Sequence, residues 1–133
     1  MPIQKVMRAA TCPCGTGRAL ETCCGAFHAG EAAPDAERLM RSRYSAFALG
    51  LEYYLRATWH PDTRPAELGL DATPSPQWLG LAIKTHTPLD EHHATVEFIA
   101  RYKLNGRAFK LHETSRFEKM DGRWLYVDGV MHE

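Results

Sequence analysis

The sequence has no cysteine beyond Cys24, although four cysteines lie between positions 12 and 24. Disulfide-stabilised secreted domains spread their cysteines across the fold, so this clustering argues against a disulfide scaffold. The chain also lacks an apolar run long enough to cross a bilayer, and its first eight residues lack the apolar segment of a secretory signal. These absences predict a cytoplasmic protein without a membrane span.

Neither sign of charge is in excess, because sixteen Lys and Arg balance sixteen Asp and Glu. This balance argues against a protein whose main task is to neutralise nucleic-acid phosphates. Residues 101–119 nevertheless carry six bases and two acids, which we interpret as a solvated strand face. The sequence also lacks a nucleophile elbow, a phosphate-binding glycine loop and a dinucleotide fingerprint, and therefore leans away from an enzyme.

The composition is that of a folded domain, with 44% hydrophobic and 24% charged residues. A chain of 133 residues can form one domain with a core and a small appendage. Residues 1–30 are rich in glycine and have no regular periodicity, so they form the appendage, and residues 31–133 form the body. Helical spacing predicts helices over 36–49 and 52–58, with Gly50 ending the first.

Beyond these helices the hydrophobic pattern changes to a period of two. Asn105-Gly106 and Asp121-Gly122 are typical of two-residue hairpin turns, so the last strands are expected to be antiparallel neighbours. Two helices followed by such strands indicate an α+β fold, with the helices packed on a curved antiparallel sheet. The predicted strands cover residues 78–85, 93–104, 108–119 and 124–130.

The four cysteines have the spacing of a metal cage. One residue separates Cys12 from Cys14, and Cys23 is adjacent to Cys24. Thiolates are soft ligands, and four of them match the tetrahedral coordination of Zn²⁺. A disulfide between Cys23 and Cys24 would be strained, because neighbouring residues reach disulfide geometry poorly. Four sulfur ligands close the coordination shell, so we predict one structural zinc ion rather than a catalytic one.

Basic residues near the cysteines would offset the negative charge that four thiolates leave around a zinc ion. Arg8, Arg18 and His28 are the candidates, and His28 is also a substitute ligand to consider. The alternatives to a zinc site are four free thiols or a redox pair.

Two parts of the chain are similar to known families. The stretch CPCGTGRALETCCG (12–25) resembles the SEC-C motif, a zinc module also found in the SecA translocation ATPase. The resemblance implies a SEC-C module in residues 1–30, followed by a nuclear-transport-factor-2-like (NTF2-like) cone in residues 31–133. It implies no established activity. The segments that resemble the YchJ family of uncharacterised bacterial proteins are LMRSRYSAF (39–47), ATWHP (57–61), HETSRF (112–117) and GRWLYVDG (122–129).

The predicted hairpins place two acidic side chains on the apolar face of the sheet. The first turn pairs Glu113 with Phe98, and the second pairs Asp128 with Ser115. Carboxylates on this face need partners, because burying an unpaired charge costs several kcal/mol. The first helix supplies Arg43, which flanks the face that covers the sheet. The candidate pocket residues are Arg43, Tyr44, His60, Glu113, Ser115 and Asp128.

This polar cluster has two interpretations. In the structural one, which we favour, Arg43 forms a buried ion pair with Glu113 or Asp128 that fixes the helix to the sheet. In the functional one, the cone holds a pocket, and the protein is an enzyme or a small-ligand binder using these residues with His60. A single β-bulge would exchange the two faces of the sheet beyond it.

The other histidines carry no predicted site. His92 and His93, beside Glu91, fit a solvated strand entry. His112 is predicted on the outer face of the sheet, and His132 has no evident partner.

A closed zinc module has no chemistry of its own, but it offers a rigid surface. We therefore predict a binding or adaptor protein that recognises a protein partner through its SEC-C module, by analogy with SecA. The enzyme or ligand-binding function is the alternative, and association with nucleic acid is a second alternative.

Overall fold

The structure is a computed structural model that describes residues 10–133, so Arg8 lies outside the described residues. A 3₁₀ turn at Leu20–Thr22 and helix α1 (Cys24–His28) follow the first cysteine pair. No helix in the described part of the chain is long and apolar enough to cross a membrane. The other elements are α2 (Ala36–Leu49), α3 (Glu52–Ala57), β1 (Gln77–Pro88), β2 (His93–Leu104), β3 (Arg107–Met120) and β4 (Arg123–Met131).

Helix α2 has the bounds that the sequence predicts. Asp35 caps its N-terminus, because the carboxylate accepts a hydrogen bond of 2.8 Å from the backbone N–H of Arg38. Gly50 ends the helix in the left-handed conformation, with a φ of 73°, which glycine adopts without a steric penalty. The helix is therefore held at both ends by the residues that mark it in the sequence.

The four strands form one antiparallel sheet in the order β1-β2-β3-β4. The predicted bounds of β2 are confirmed, whereas the other strands run one to three residues past their predicted ends. The β2–β3 hairpin turns at Asn105 and Gly106, whose φ values of 54° and 77° suit a type I′ turn. Its register is the predicted one and places Glu113 opposite Phe98.

The predicted register of β4 is wrong beyond Phe117. Phe117 pairs with Tyr126 as expected, but a bulge follows and Arg116 then faces Asp128. One extra residue on a strand reverses the face of every side chain beyond it. Asp128 therefore lies on the outer face of the sheet, and Ser115 keeps its place on the inner face.

Within the described residues, one hydrophobic core joins the cysteine module to the body. Cys14 and Phe27 of the module pack in the same cluster as Leu39 of α2 and Val96 of β2. The module is therefore anchored on α2, and its integrity bears on the stability of the body. The largest fully buried side chains are Phe117, Leu39, Leu55 and Val96, together with Cys14, Cys24, Ser42, Ser45 and Ser115.

Candidate metal centre and cone cavity

A tight loop presents the first cysteine pair to the N-terminus of α1. The Cys12 N–H donates to the Arg18 carbonyl at 2.9 Å, which closes the loop. Gly15 has a φ of 91°, a conformation that other residues rarely adopt. Cys23 precedes α1 and Cys24 is its first residue, so the helix start carries the second pair.

The sulfur atoms have the separation that a tetrahedral metal requires. All four lie within 4.8 Å of one another, and 3.7 Å separates Cys14 Sγ from Cys23 Sγ. Four ligands at about 2.3 Å from a zinc ion lie about 3.8 Å apart. A disulfide would need about 2.05 Å, and all four cysteines are free. The four clustered cysteines could therefore hold a metal ion.

Protons are unevenly distributed among these thiols. A hydrogen bond from Cys24 lowers the pKa of Cys14 to about 4, and the same contact raises the pKa of Cys24. Burial raises the pKa of Cys23. Metal ions bind thiolates, so metal binding would displace the protons that these thiols carry.

Hydroxyl groups line the cluster on two sides. Cys12 Sγ lies 3.4 Å from the hydroxyl of Ser45, which is fully buried on α2. Thr16 Oγ1 lies 3.2 Å from Cys23 Sγ. These contacts orient the sulfurs, a role that outer hydrogen-bond partners commonly have around metal ligands.

Two arginines hold backbone carbonyls of the module. Arg41 Nη1 donates to the Cys14 carbonyl at 3.0 Å, and Arg18 binds the Thr22 carbonyl at 2.9 Å. Sequence reasoning included Arg18 among the residues near the cysteines but missed Arg41, because α2 belongs to the body and its contact with the module is tertiary. His28 is buried, and its Nε2 lies 2.9 Å from the carbonyl of Ser42.

The second site is a cavity of about 160 Å³ between α2 and the inner face of the sheet. Four of the six predicted pocket residues line it, whereas His60 and Asp128 do not. Most of the remaining wall is aromatic or aliphatic, which is the usual character of a ligand pocket. The polar and aromatic side chains of interest are Arg43, Tyr44, Glu113, Ser115, Trp59 and Tyr126.

Arg43 is a buried cation at the cavity wall. Its Nη1 donates to the Leu55 carbonyl at 2.9 Å and to Thr58 Oγ1 at 2.7 Å. Its guanidinium lies over the rings of Trp59 and Tyr126, 4.8 and 4.6 Å from their centroids. Burial lowers the pKa of Arg43 to about 10, so the side chain is charged at neutral pH.

The predicted ion pair of Arg43 with an acid of the sheet is absent among residues 10–133. A backbone carbonyl, a hydroxyl and two aromatic faces surround the guanidinium instead. Asp128 lies beyond the bulge and binds Arg116 through two hydrogen bonds of 2.6 and 2.7 Å. In the part of the chain that the structure describes, Arg43 therefore carries its charge without a directly bonded carboxylate.

Two hydrogen-bond donors at the cavity, the Tyr126 hydroxyl and the Trp59 N–H, differ in whether they have an acceptor. The Glu113 carboxylate accepts hydrogen bonds from Ser115 Oγ at 3.0 Å and from the Tyr126 hydroxyl at 3.4 Å. Burial, followed by the charge of Glu113, raises the pKa of Tyr126 to about 12, so its hydroxyl keeps the proton. Trp59 Nε1 is buried and has no acceptor among the described residues, which costs about 1–3 kcal/mol.

His60 ties the end of α3 to the sheet rather than lining the cavity. Its Nδ1 accepts from the backbone N–H of Asp62 at 3.1 Å, so the neutral ring carries its proton on Nε2. Nε2 lies 3.5 Å from Glu118, and the backbone N–H donates to the Tyr126 carbonyl at 2.8 Å. These contacts give His60 a structural position.

Comparison with known proteins decides the family. The family described as YchJ, middle NTF2-like domain, matches residues 35–129, and the SEC-C motif matches residues 8–26. The chain belongs to the YchJ (UPF0225) family. This result confirms the predicted fold, a SEC-C motif followed by an NTF2-like domain.

Curated YchJ relatives match over most of their length. The UPF0225 protein RSc0270 of Ralstonia nicotianae is 58% identical, and the match covers 90% of each chain. A UPF0225 protein of Chromobacterium violaceum is 52% identical over 98% of this chain and 99% of its own.

Two solved structures share the fold of this YchJ chain. RPA3114, a SEC-C motif containing protein from Rhodopseudomonas palustris, has a TM-score of 0.83 and 32% identity, covering 93% of this chain and 100% of that one. A SEC-C motif containing protein from Psychrobacter arcticus has a TM-score of 0.76 and 32% identity, covering 92% and 83%.

Proposed function

We propose that this YchJ protein is a zinc-stabilised binding protein. One structural Zn²⁺, held by Cys12, Cys14, Cys23 and Cys24, fixes residues 1–30 as a module, and residues 31–133 bind a small molecule in the cone cavity. The near-complete burial of Cys12, Cys14 and Cys24 supports a closed, structural ion. The proposal places the protein in the cytoplasm, where thiols stay reduced.

The observation that carries the binding function is a buried cation beside a buried N–H donor at an apolar cavity. Arg43 brings the positive charge, and Trp59 brings an N–H that has no acceptor within residues 10–133. A ligand acceptor would bond the Trp59 N–H and be attracted by the Arg43 charge, while the apolar part of the ligand contacts the aromatic wall. A cavity of about 160 Å³ is close to the ~150 Å³ that accommodates benzene. The ligand class is therefore a small ring or chain bearing a carboxylate or carbonyl.

Binding is favoured over catalysis by the position of the titratable groups. Acid–base catalysis needs a second group placed opposite the first across the substrate. Of the predicted acid–base residues, Glu113 and Tyr44 line the cavity, whereas His60 and Asp128 lie outside it. Burial raises the pKa of Tyr44, so its hydroxyl keeps the proton at neutral pH and is a poor base opposite Glu113. The arrangement therefore supports recognition of a ligand.

The test is an NMR titration of the full-length protein with benzoate and its neutral analogue benzamide. We expect benzoate to shift the indole resonances of Trp59 and Trp78, which line the cavity, and to leave that of Trp124 unchanged, with benzamide binding more weakly. Ala100→Leu should fill the cavity and abolish the shifts, whereas Ala82→Leu, at an exposed position, should preserve them. Equal shifts at all three indoles, or none, would refute the proposal.

Protein recognition through the module is the second candidate. A groove of about 560 Å³ lies between the module and α2, and its mixed charges would suit a protein segment of alternating charge. Charge reversal at Arg18 should then weaken partner capture, whereas reversal at the distant exposed Lys84 should not. The charged residues that line the groove are Arg18, Arg38, Arg41, Glu21, Glu31 and Glu37.

Association with nucleic acid is supported only by the basic residues of the β2–β3 hairpin.

A further inference from the structure

The outer face of the sheet carries a cluster of metal-ligating side chains that is separate from both sites above. Glu97 lies on β2, His112 on β3, and His132 directly follows β4. One ligand atom from each lies within 4.8 Å of the other two. Two adjacent strands and the residue that follows a third thus bring one side chain each to the same point.

The ladder explains this convergence. Glu97 pairs with Thr114, so His112, two residues earlier on β3, is its diagonal neighbour on the same face. The His132 N–H donates to the His112 carbonyl at 2.8 Å, which continues the β3–β4 pairing past the end of β4. The two imidazole rings stack, with centroids 4.2 Å apart and planes 16° apart. His112 Nε2 lies 2.7 Å from Glu97 Oε2.

Neighbouring hydroxyls orient the outer members of the cluster. Thr85 on β1 donates to Glu97 Oε1 at 3.4 Å, and Thr114 Oγ1 lies 2.7 Å from His132 Nε2. The hydrogen bond with His112 lowers the pKa of Glu97, which keeps the carboxylate ionised. Such outer partners fix ligand orientation in metal sites.

We propose that Glu97, His112 and His132 bind a divalent transition-metal cation, independently of the ion held by the four cysteines. Two imidazoles and one carboxylate suit Zn²⁺, Ni²⁺ or Cu²⁺. Bonds of about 2.1 Å place ligand atoms at most about 4.2 Å apart, so small side-chain rotations are needed to reach binding geometry. Glu97 and His112 are partly exposed and His132 is exposed, which leaves room for such rotations. Three protein ligands leave coordination positions for water or for an external ligand.

His93, elsewhere on the surface, has a carboxylate partner but lacks, among residues 10–133, the third ligand that the cluster has. His93 Nδ1 lies 2.9 Å from Asp90 Oδ1, but no third ligand joins that pair in the described chain. His93→Ala is therefore a matched control, since it removes an exposed histidine with a carboxylate partner while leaving the proposed site intact.

The test titrates the zinc-loaded full-length protein with Ni²⁺, using calorimetry and the histidine side-chain NMR signals. We expect one Ni²⁺ per chain, retention of the bound zinc, and paramagnetic broadening that affects His112 and His132 first. His132→Ala and Glu97→Gln should weaken Ni²⁺ binding by about tenfold or more. His93→Ala should leave it unchanged.

Three results would overturn the proposal. The first is the absence of Ni²⁺ binding to the zinc-loaded protein. The second is equal affinity of the parent, the His132→Ala variant and the Glu97→Gln variant. The third is simultaneous broadening of all histidine signals, which would indicate scattered surface binding. Far-UV circular dichroism of each variant verifies that the fold is retained.

Discussion

The cysteine module and the cone cavity are assembled in opposite ways. The module takes its four sulfurs from a single stretch between Cys12 and Cys24, whereas the cavity takes its walls from α2, the end of α3 and the sheet strands. A local site depends on spacing and loop geometry, and a distributed site depends on register and packing. The two sites should therefore respond differently to substitution.

The largest effect is expected from Cys24→Ser. Loss of one thiolate should release the zinc ion, and zinc binding by small thiolate modules is worth about 10–16 kcal/mol at neutral pH. Because the cysteines pack in the core that the body shares, the melting temperature of the whole chain should fall. Thermal unfolding with metal analysis measures both, and Thr22→Ala, an exposed change nearby, is the control. A Cys24→Ser protein that keeps its zinc and its melting temperature would contradict the account.

A substitution in the body should separate stability from metal content. Leu55 is fully buried under the sheet, so Leu55→Ala should lower the free energy of unfolding by about 2–5 kcal/mol. Under native conditions the zinc content should stay at one per chain, since the ligands are local. Urea unfolding measures the stability, with Leu49→Ala as the exposed control. Release of zinc from folded Leu55→Ala protein would show that the module is not a local unit.

Trp59→Phe tests the cavity and is expected to have a smaller effect than the two substitutions above. The substitution keeps an aromatic ring beside Arg43 and removes the N–H that has no acceptor within the described structure. If that N–H bonds the ligand, benzoate affinity should fall about fivefold, the value of one hydrogen bond. Trp124→Phe, outside the cavity, should leave the affinity unchanged. Equal affinities for both variants would remove Trp59 from the binding site.

The smallest effect concerns the ion pair beyond the bulge. Arg116 lowers the pKa of Asp128, so this pair stabilises the fold above the unfolded pKa of about 3.9, and the stabilisation is lost as pH falls through the lower folded pKa. Both side chains are largely exposed, so Asp128→Asn should cost about 0.2–1 kcal/mol at neutral pH and nothing in strong acid. Unfolding at both pH values measures the difference. A loss that persists in strong acid would contradict the assignment to this pair, and Asp71→Asn is the exposed control.

The contrast between a local and a distributed site also explains which features could be predicted from the sequence. Cysteine spacing predicted the clustered cysteines, and the Asn105-Gly106 turn predicted the register that brings Glu113 to the inner face. The bulge between Arg116 and Phe117 has no signal in the hydrophobic pattern, so the predicted position of Asp128 was wrong.

The environment of Arg43 could not be predicted either, because the Leu55 carbonyl and the ring of Trp59 approach it only through tertiary packing. The cluster around His112 was missed for a similar reason. His132 meets it only after the β3–β4 ladder has passed the bulge.

The metal content of the wild-type protein, purified under reducing conditions, tests the central claim most directly. Native mass spectrometry should find one zinc ion per chain, with all four thiols protected from alkylation until a chelator removes it. A folded protein that carries no metal and whose four cysteines react freely with alkylating reagents would contradict the account.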